Sequence, residues 1–350
     1  MILIGTDEGI YRWVEGSGWP VYHGLQDRAV VALATGGPGV LAAADRTGAL
    51  LESTDTGLTW SDVALPEGAG TPAGFCVGGK GREVVLATRS GAYFRRGVGT
   101  PAPRARDLDT STWVGRARTL AEGATVLLAP KSRRPAATAE AIRLAGWTPT
   151  GAPSTTAASS VRLAWLPGDT PVWLTAAAGA GLSRSTDSGK TWSKVDGLAA
   201  DVHALRPVPG RPGEVWAATA DGCRFSGDAG QTWEDRSSGL EKARNVRAIA
   251  VKPDEPATLL AAAAASEPKG PDALYESTNS GKTWAPVVKR NFPVDLTYDT
   301  ISDIRHDPAA PDCVLIALGS GELWATRNGG AYWGPLARQT KSARVLCGIG

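Results

Sequence analysis

The chain of 350 residues is 42% hydrophobic and 21% charged, which excludes intrinsic disorder and leaves room for one large domain or two ordinary ones. Its 37 basic and 35 acidic residues nearly cancel to +2, so no global field steers it toward nucleic acid or anionic lipid, and neither is expected as a partner.

The first residues, MILIGTDEGIYRW, carry no basic leader and no apolar stretch of signal-peptide length, and no run in the chain is long enough to span a membrane; the expectation is a cytoplasmic protein. Three strands are predicted here, near ILIGT, GIYRWV and GWPVYH, from short apolar runs bounded by Gly, Asp and Pro. Next comes the octad STDTGLTW (53–60), which returns as STDSGKTW (185–192), SGDAGQTW (226–233), STNSGKTW (277–284) and TRNGGAYW (326–333). Around each octad the same rhythm of short apolar runs and polar turns recurs, so the chain is an internal repeat of strands. The stretch AATAEAIRLAG (136–146) is the best helix candidate and reads equally as a degenerate repeat.

Each octad position has a structural job. The third residue (Asp55, Asp187, Asp228, Asn279, Asn328) can accept hydrogen bonds from backbone N–H groups two residues on, supported by the hydroxyl of the first (Ser53, Ser185, Ser226, Ser277, Thr326). The fifth (Gly57, Gly189, Gly230, Gly281, Gly330) supplies a left-handed conformation. The eighth (Trp60, Trp192, Trp233, Trp284, Trp333) returns the chain to apolar surface.

This pattern resembles the BNR or Asp-box repeat of sialidases, xyloglucan-cleaving propeller hydrolases, sortilin-type receptors and photosystem assembly factors. The resemblance implies an all-β fold: a β-propeller of four-stranded blades with the octad on the outer hairpin between third and fourth strands, away from the ligand face. The last Trp of each unit (19, 60, 113, 147, 192, 233, 284 and 333) gives a spacing that favours eight blades; seven is the alternative if a unit within 70–152, where STWVG and AGWTPTG lack the octad's Asp, is an insertion. Residues 1–350 are read as one domain, its ring closed by the strand 342–349 pairing with the N-terminal blade.

Function is expected on the face where loops join second to third strands and one blade to the next. Those loops carry Asp7, Glu8, Asp45, Arg46, Arg89, Arg133, Arg134, His23, Arg28, Arg244, Arg290, Asp295, Tyr298 and Asp299. A glycosidase needs paired carboxylates, and Asp7, Asp45, Asp295 and Asp299 are the candidates, with Tyr298 as the tyrosine best placed for a sialidase-type nucleophile. The resemblance also implies an N-terminal RIP-type signature for a sialidase, and the chain has none. As ligand contacts the candidates are Glu8, His23, Arg28, Arg46, Arg89, Arg133, Arg134, Arg244 and Arg290. The basic segments 95–106 and 130–135 read as solvated insertions or a docking loop. Neither the three histidines nor the four cysteines have metal-site spacing, so no metal or cofactor is expected, and the cysteines read as buried thiols. Two function classes follow: a non-catalytic binding or scaffold propeller holding a protein, small-molecule or carbohydrate ligand at its top face or central channel, or a glycoside hydrolase or lyase using top-face carboxylates. The missing catalytic set favours the first.

Overall fold

The computed structural model describes residues 1–97, 117–120, 124–127, 147–151, 161–264, 272–287, 299–336 and 343–349, apart from 17, 38–39, 66–68, 70, 79–82, 90, 92, 178, 199–200 and 344. Seven four-stranded antiparallel sheets make a propeller. From the innermost strand outward, the first blade is β30 (Val345–Gly348), β1 (Ile2–Thr6), β2 (Gly9–Trp13) and β3 (Val21–Gly24). The second is β4 (Val30–Gly37), β5 (Val40–Asp45), β6 (Leu50–Ser53) and β7 (Ser61–Val63). The third is β8 (Pro72–Gly78), β9 (Glu83–Thr88), β10 (Tyr93–Gly97) and β13 (Trp147–Pro149), with the separate hairpin of β11 (Ala117–Leu120) and β12 (Ala124–Leu127) between its last two strands. The fourth is β14 (Val161–Leu166), β15 (Val172–Ala177), β16 (Gly181–Ser185) and β17 (Ser193–Val195); the fifth is β18 (Val202–Pro207), β19 (Val215–Thr219), β20 (Gly222–Ser226) and β21 (Glu234–Asp235). The sixth is β22 (Asn245–Val251), β23 (Leu259–Ala264), β24 (Asp272–Ser277) and β25 (Ala285–Pro286), and the seventh β26 (Ile301–Asp307), β27 (Ala310–Leu318), β28 (Leu323–Thr326) and β29 (Gly334–Leu336).

The blade count is seven, the alternative rather than the favoured eight. Trp147 lies in the outer strand of the third blade, opposite Arg96, so it completes that blade and does not mark a further one. Trp113 and the helix candidate 136–146 lie outside the described residues. The chain leaves the third blade after Gly97 and returns at Trp147, at the hairpin where other blades carry an octad. Insertion there disturbs no inner strand.

The strands are apolar on both faces because each blade is covered on both sides. Seven apolar clusters straddle the seven seams between neighbouring blades. On β23, Leu259, Ala261 and Ala263 face the fifth blade while Leu260 and Ala262 face the seventh, the period of two expected of a strand. Blades converge toward the axis, so the second strands are rich in alanine, whereas the wider rim takes the octad tryptophans. The innermost strands touch in sequence from β4 through β8, β14, β18, β22 and β26 to β30, which touches β4. Ile2, Leu3, Ile4 and Gly5 of β1 pair with Gly348, Cys347, Leu346 and Val345 of β30, so both chain ends build one blade.

All five octads sit on the hairpin between third and fourth strands and share one bonding scheme. The first-position hydroxyl is buried and accepts the N–H of the glycine, as in Gly57 to Ser53 Oγ at 2.8 Å and Gly330 to Thr326 Oγ1 at 3.0 Å. The carboxylate instead accepts an N–H four residues on, Thr59 to Asp55 Oδ1 at 2.9 Å, and the Thr59 hydroxyl donates to Oδ2. Where Asn279 replaces Asp, its Nδ2 donates to the Thr283 hydroxyl at 2.8 Å, so that hydroxyl reverses its role. Fourth and fifth positions both have positive φ, 63° at Thr56 and 86° at Gly57, the signature of a type I′ turn.

These bonds hold the octad carboxylates ionised. The side-chain and backbone bonds from Thr59 draw Asp55 down to about 2, and those from Thr191 do the same for Asp187. A depressed carboxylate stabilises the fold above its unfolded pKa and loses that contribution as pH falls through its folded pKa. The expected result is stability that declines between about pH 4 and about pH 2, and a chain carrying both Asp55→Asn and Asp187→Asn whose decline is shallower. Urea midpoints measured from pH 5 to pH 2 check this; parallel curves for the two proteins would refute it.

Candidate functional site: arginines around the propeller axis

On the face carrying the second-to-third-strand loops, the predicted carboxylates are engaged with neighbours. Asp7, after β1, pairs with Arg46 of the next blade at 2.5 Å. Asp45 is buried at the end of β5, where its Oδ1 accepts N–H bonds from Thr47 and Ala49 and the Thr47 hydroxyl, and Arg28 lies 3.4 Å from Oδ2. Burial alone would raise its pKa; the Thr47 hydroxyl, the two amides and Arg28 outweigh burial and bring it below the ordinary value. Asp45 is therefore a turn-fastening carboxylate, charged at neutral pH and unsuited to act as a general acid. Asp299 accepts the N–H groups of Thr300 and Ser320 at 2.7 and 3.0 Å.

Arg28 also meets Asp62 at 3.0 Å, and Arg244 joins Asp221 and Asp235 in a network with Arg224. Arg89 is exposed on its turn, and Glu8 lies in the β1–β2 turn, where its carbonyl accepts Asp27 N–H. His23 differs from expectation: it belongs to outer strand β3, not to a blade-to-blade loop, and its Nε2 lies 2.8 Å from the Thr56 carbonyl of the neighbouring octad. Arg133, Arg134, Arg290, Asp295 and Tyr298 lie outside the described residues. Of the basic segment 95–106, Arg95 and Arg96 are in β10, paired with Glu83 and Glu52.

Charge also gathers on the innermost strands. Arg206 of β18 reaches Asp303 of β26 at 3.2 Å, skipping the sixth blade, and that path crosses the bore of the ring. Arg305 meets the other oxygen of Asp303, also at 3.2 Å. Arg162 of β14, three blades away from Asp303, still feels its charge. Two guanidiniums thus share one carboxylate, with a third within range of its charge.

Each member is fixed by backbone. Arg162 Nε donates to the His203 carbonyl at 2.6 Å, and Arg305 Nε donates to that of Leu346 at 3.1 Å. Asp303 accepts the N–H groups of Ile304 and Leu346 at 2.9 and 3.3 Å. Arg206 Nε has no hydrogen-bond partner among the described residues.

Desolvation draws Arg206 down to about 10; Arg305 and Arg162 push the same way by like charge, and Asp303 opposes them. The side chain keeps 27% of its surface accessible even so, as expected in a wetted bore walled by protein. Arg206 stays charged at neutral pH. An excess of donors over counter-charge is suited to an anion, above all a planar carboxylate. These arginines escaped the reading of loops because each lies within a strand, as in VRLAWL, VHALRP and ISDIRHD. A cation recurring in innermost strands was the available signal.

Fold and site together define a seven-bladed β-propeller with a cationic bore. No protein-family model matches the chain, and no curated protein matches its sequence. Solved structures share the fold. A GH74 enzyme from Niastella koreensis superposes with a TM-score of 0.66 at 16% identity, over 95% of this chain and 51% of its own. The GH74 xyloglucanase from Xanthomonas campestris gives 0.56 at 19%, over 96% and 51%. YCF48 bound to a D1 peptide gives 0.56 at 17%, over 92% of this chain and 87% of its own. The chain spans about half the length of these two GH74 proteins, and identities this low speak for the fold alone.

Proposed function

We propose that this protein is a non-catalytic binding propeller that holds an acidic segment of a polypeptide partner at the mouth of its bore. The observation that carries this reading is the pairing of Asp303 with both Arg206 and Arg305 across the innermost strands, with Arg206 Nε left without a partner among the described residues. The engagement of Asp7, Asp45 and Asp299 with arginine or backbone amides weighs against the hydrolase reading. That a YCF48 propeller of similar extent is bound to a D1 peptide supports a polypeptide ligand. The octads, read as Asp-box repeats, are struts on the opposite side. A cytoplasmic setting is part of the proposal, supported by four cysteines that are all free thiols.

Fluorescence polarisation with labelled oligoglutamate and oligoglutamine peptides of equal length tests the proposal. Oligoglutamate is expected to bind in a salt-sensitive manner, and Arg206→Ala to weaken it about tenfold, the loss of one charge-assisted contact. Equal binding of the two peptides would overturn it.

A further inference from the structure

A second feature lies away from the bore, between the sixth and seventh blades. His306, at the end of β26, is 8% exposed, and its Nδ1 lies 2.8 Å from the Pro311 carbonyl. A carbonyl only accepts, so Nδ1 carries the proton and Nε2 presents a bare lone pair in the neutral ring. Desolvation favours that neutral form, with Lys252 acting in the same direction against the Pro311 bond, Asp254 and Asp312. Nε2 has no hydrogen-bond partner among the described residues.

His306 lines a cavity of about 220 Å³ with an apolar side of Leu260, Val287, Val314 and Trp333 and a polar side that includes Glu255 and Glu276. Lys252, which also lines it, is held by Asp312 at 2.8 Å. An apolar cavity of about 150 Å³ accommodates a benzene ring, so the space suffices for one substituted ring. Strand register shows how particular this imidazole is. The residue opposite the partner of the octad's first position is His306 in the seventh blade, but Val251 in the sixth, Pro207 in the fifth, Trp165 in the fourth and Thr35 in the second. Valine, proline and tryptophan there present no side-chain acceptor, and the Thr35 hydroxyl is bonded to Val40. Of the five octad blades, only the seventh places an aromatic acceptor at this register position, and there it lines the cavity.

We propose that this seam cavity binds a small aromatic molecule bearing a hydroxyl or N–H donor, which donates to His306 Nε2 while Trp333 and the aliphatic walls cover its ring. The site is separate from the bore and does not depend on the peptide-binding reading.

Phenol and toluene are the probes, differing in the donor. With the full chain labelled with ¹⁵N, phenol is expected to move the His306 Nε2 resonance saturably and to bind at least tenfold more tightly than toluene. In His306→Phe, which keeps a ring and loses the acceptor, the two should bind alike. Equal affinities in the wild type, or an Nε2 resonance unmoved by saturating phenol, would overturn the proposal and leave ordered water as the partner of His306. Because both of those readings use the wild type, the test stands even if His306→Phe fails to fold.

Discussion

Deleting residues 343–350 is expected to abolish cooperative folding. The segment contains β30, the innermost strand of the first blade, whose four residues pair with Ile2 through Gly5. Its side chains alternate between two seams: Leu346 and Ala343 pack toward the seventh blade, Cys347 and Ile349 toward the second. Removing it uncovers Ile2, Leu3 and Ile4, all with no exposed surface, besides removing its own apolar groups. At about 1.5–3 kcal/mol for each large aliphatic side chain, the lost burial reaches roughly 5 kcal/mol or more, within the range of a whole domain's net stability. β1 would also be left as an unpaired inner edge of its sheet. Urea unfolding followed by tryptophan fluorescence should show a broad, early transition for the truncated chain, and a synthetic 343–350 peptide added in trans should sharpen it. A truncated chain whose midpoint matches the full chain would show that closure contributes little.

The fold was legible in the sequence because the octad spends its residue types on local geometry. A hydroxyl, a carboxylate or amide, a glycine and a tryptophan at fixed offsets are each needed to close one hairpin, and they recur whatever packs around them. Its details were less legible. The fourth position takes positive φ at Thr56, Ser188, Ala229 and Ser280, residue types that carry no such signal, since the neighbouring glycine and buried hydroxyl impose the turn on them. The eighth blade comes from counting tryptophans: Trp113 and Trp147 fall at blade-like intervals, whereas the units within 70–152 that lack the octad's Asp are where the alternative of seven places an insertion. The site was least legible. Loop carboxylates attract attention by composition, and Asp7 and Asp45 turn out to fasten turns and neighbouring blades. The arginines of the bore come together from separate strands, a juxtaposition that ring closure creates and that no local window contains.

Replacing Asp303 by Asn is expected to destabilise the protein by about 3 kcal/mol, because removing one partner of a buried ion pair leaves the others uncompensated. One carboxylate holds two guanidiniums and two backbone amides, those of Ile304 in the seventh blade and Leu346 in the closing strand. An asparagine amide offers one acceptor oxygen to these donors and turns its own donors toward the arginines. The effect should depend on Arg206, since removing that guanidinium as well relieves part of the repulsion. A double-mutant cycle of Asp303→Asn with Arg206→Met is therefore expected to show coupling of about 1.5 kcal/mol or more, against the roughly 0.3–0.5 kcal/mol within which independent sites add. Sulfate provides the second measurement. It strengthens folding generally by exclusion from protein surfaces, but in Asp303→Asn it can also occupy the cationic bore, so the variant should gain more stability from it than the wild type does. Additive mutations and equal sulfate gains would mean that Asp303 acts as a backbone cap alone and that the three arginines do not constitute an anion site.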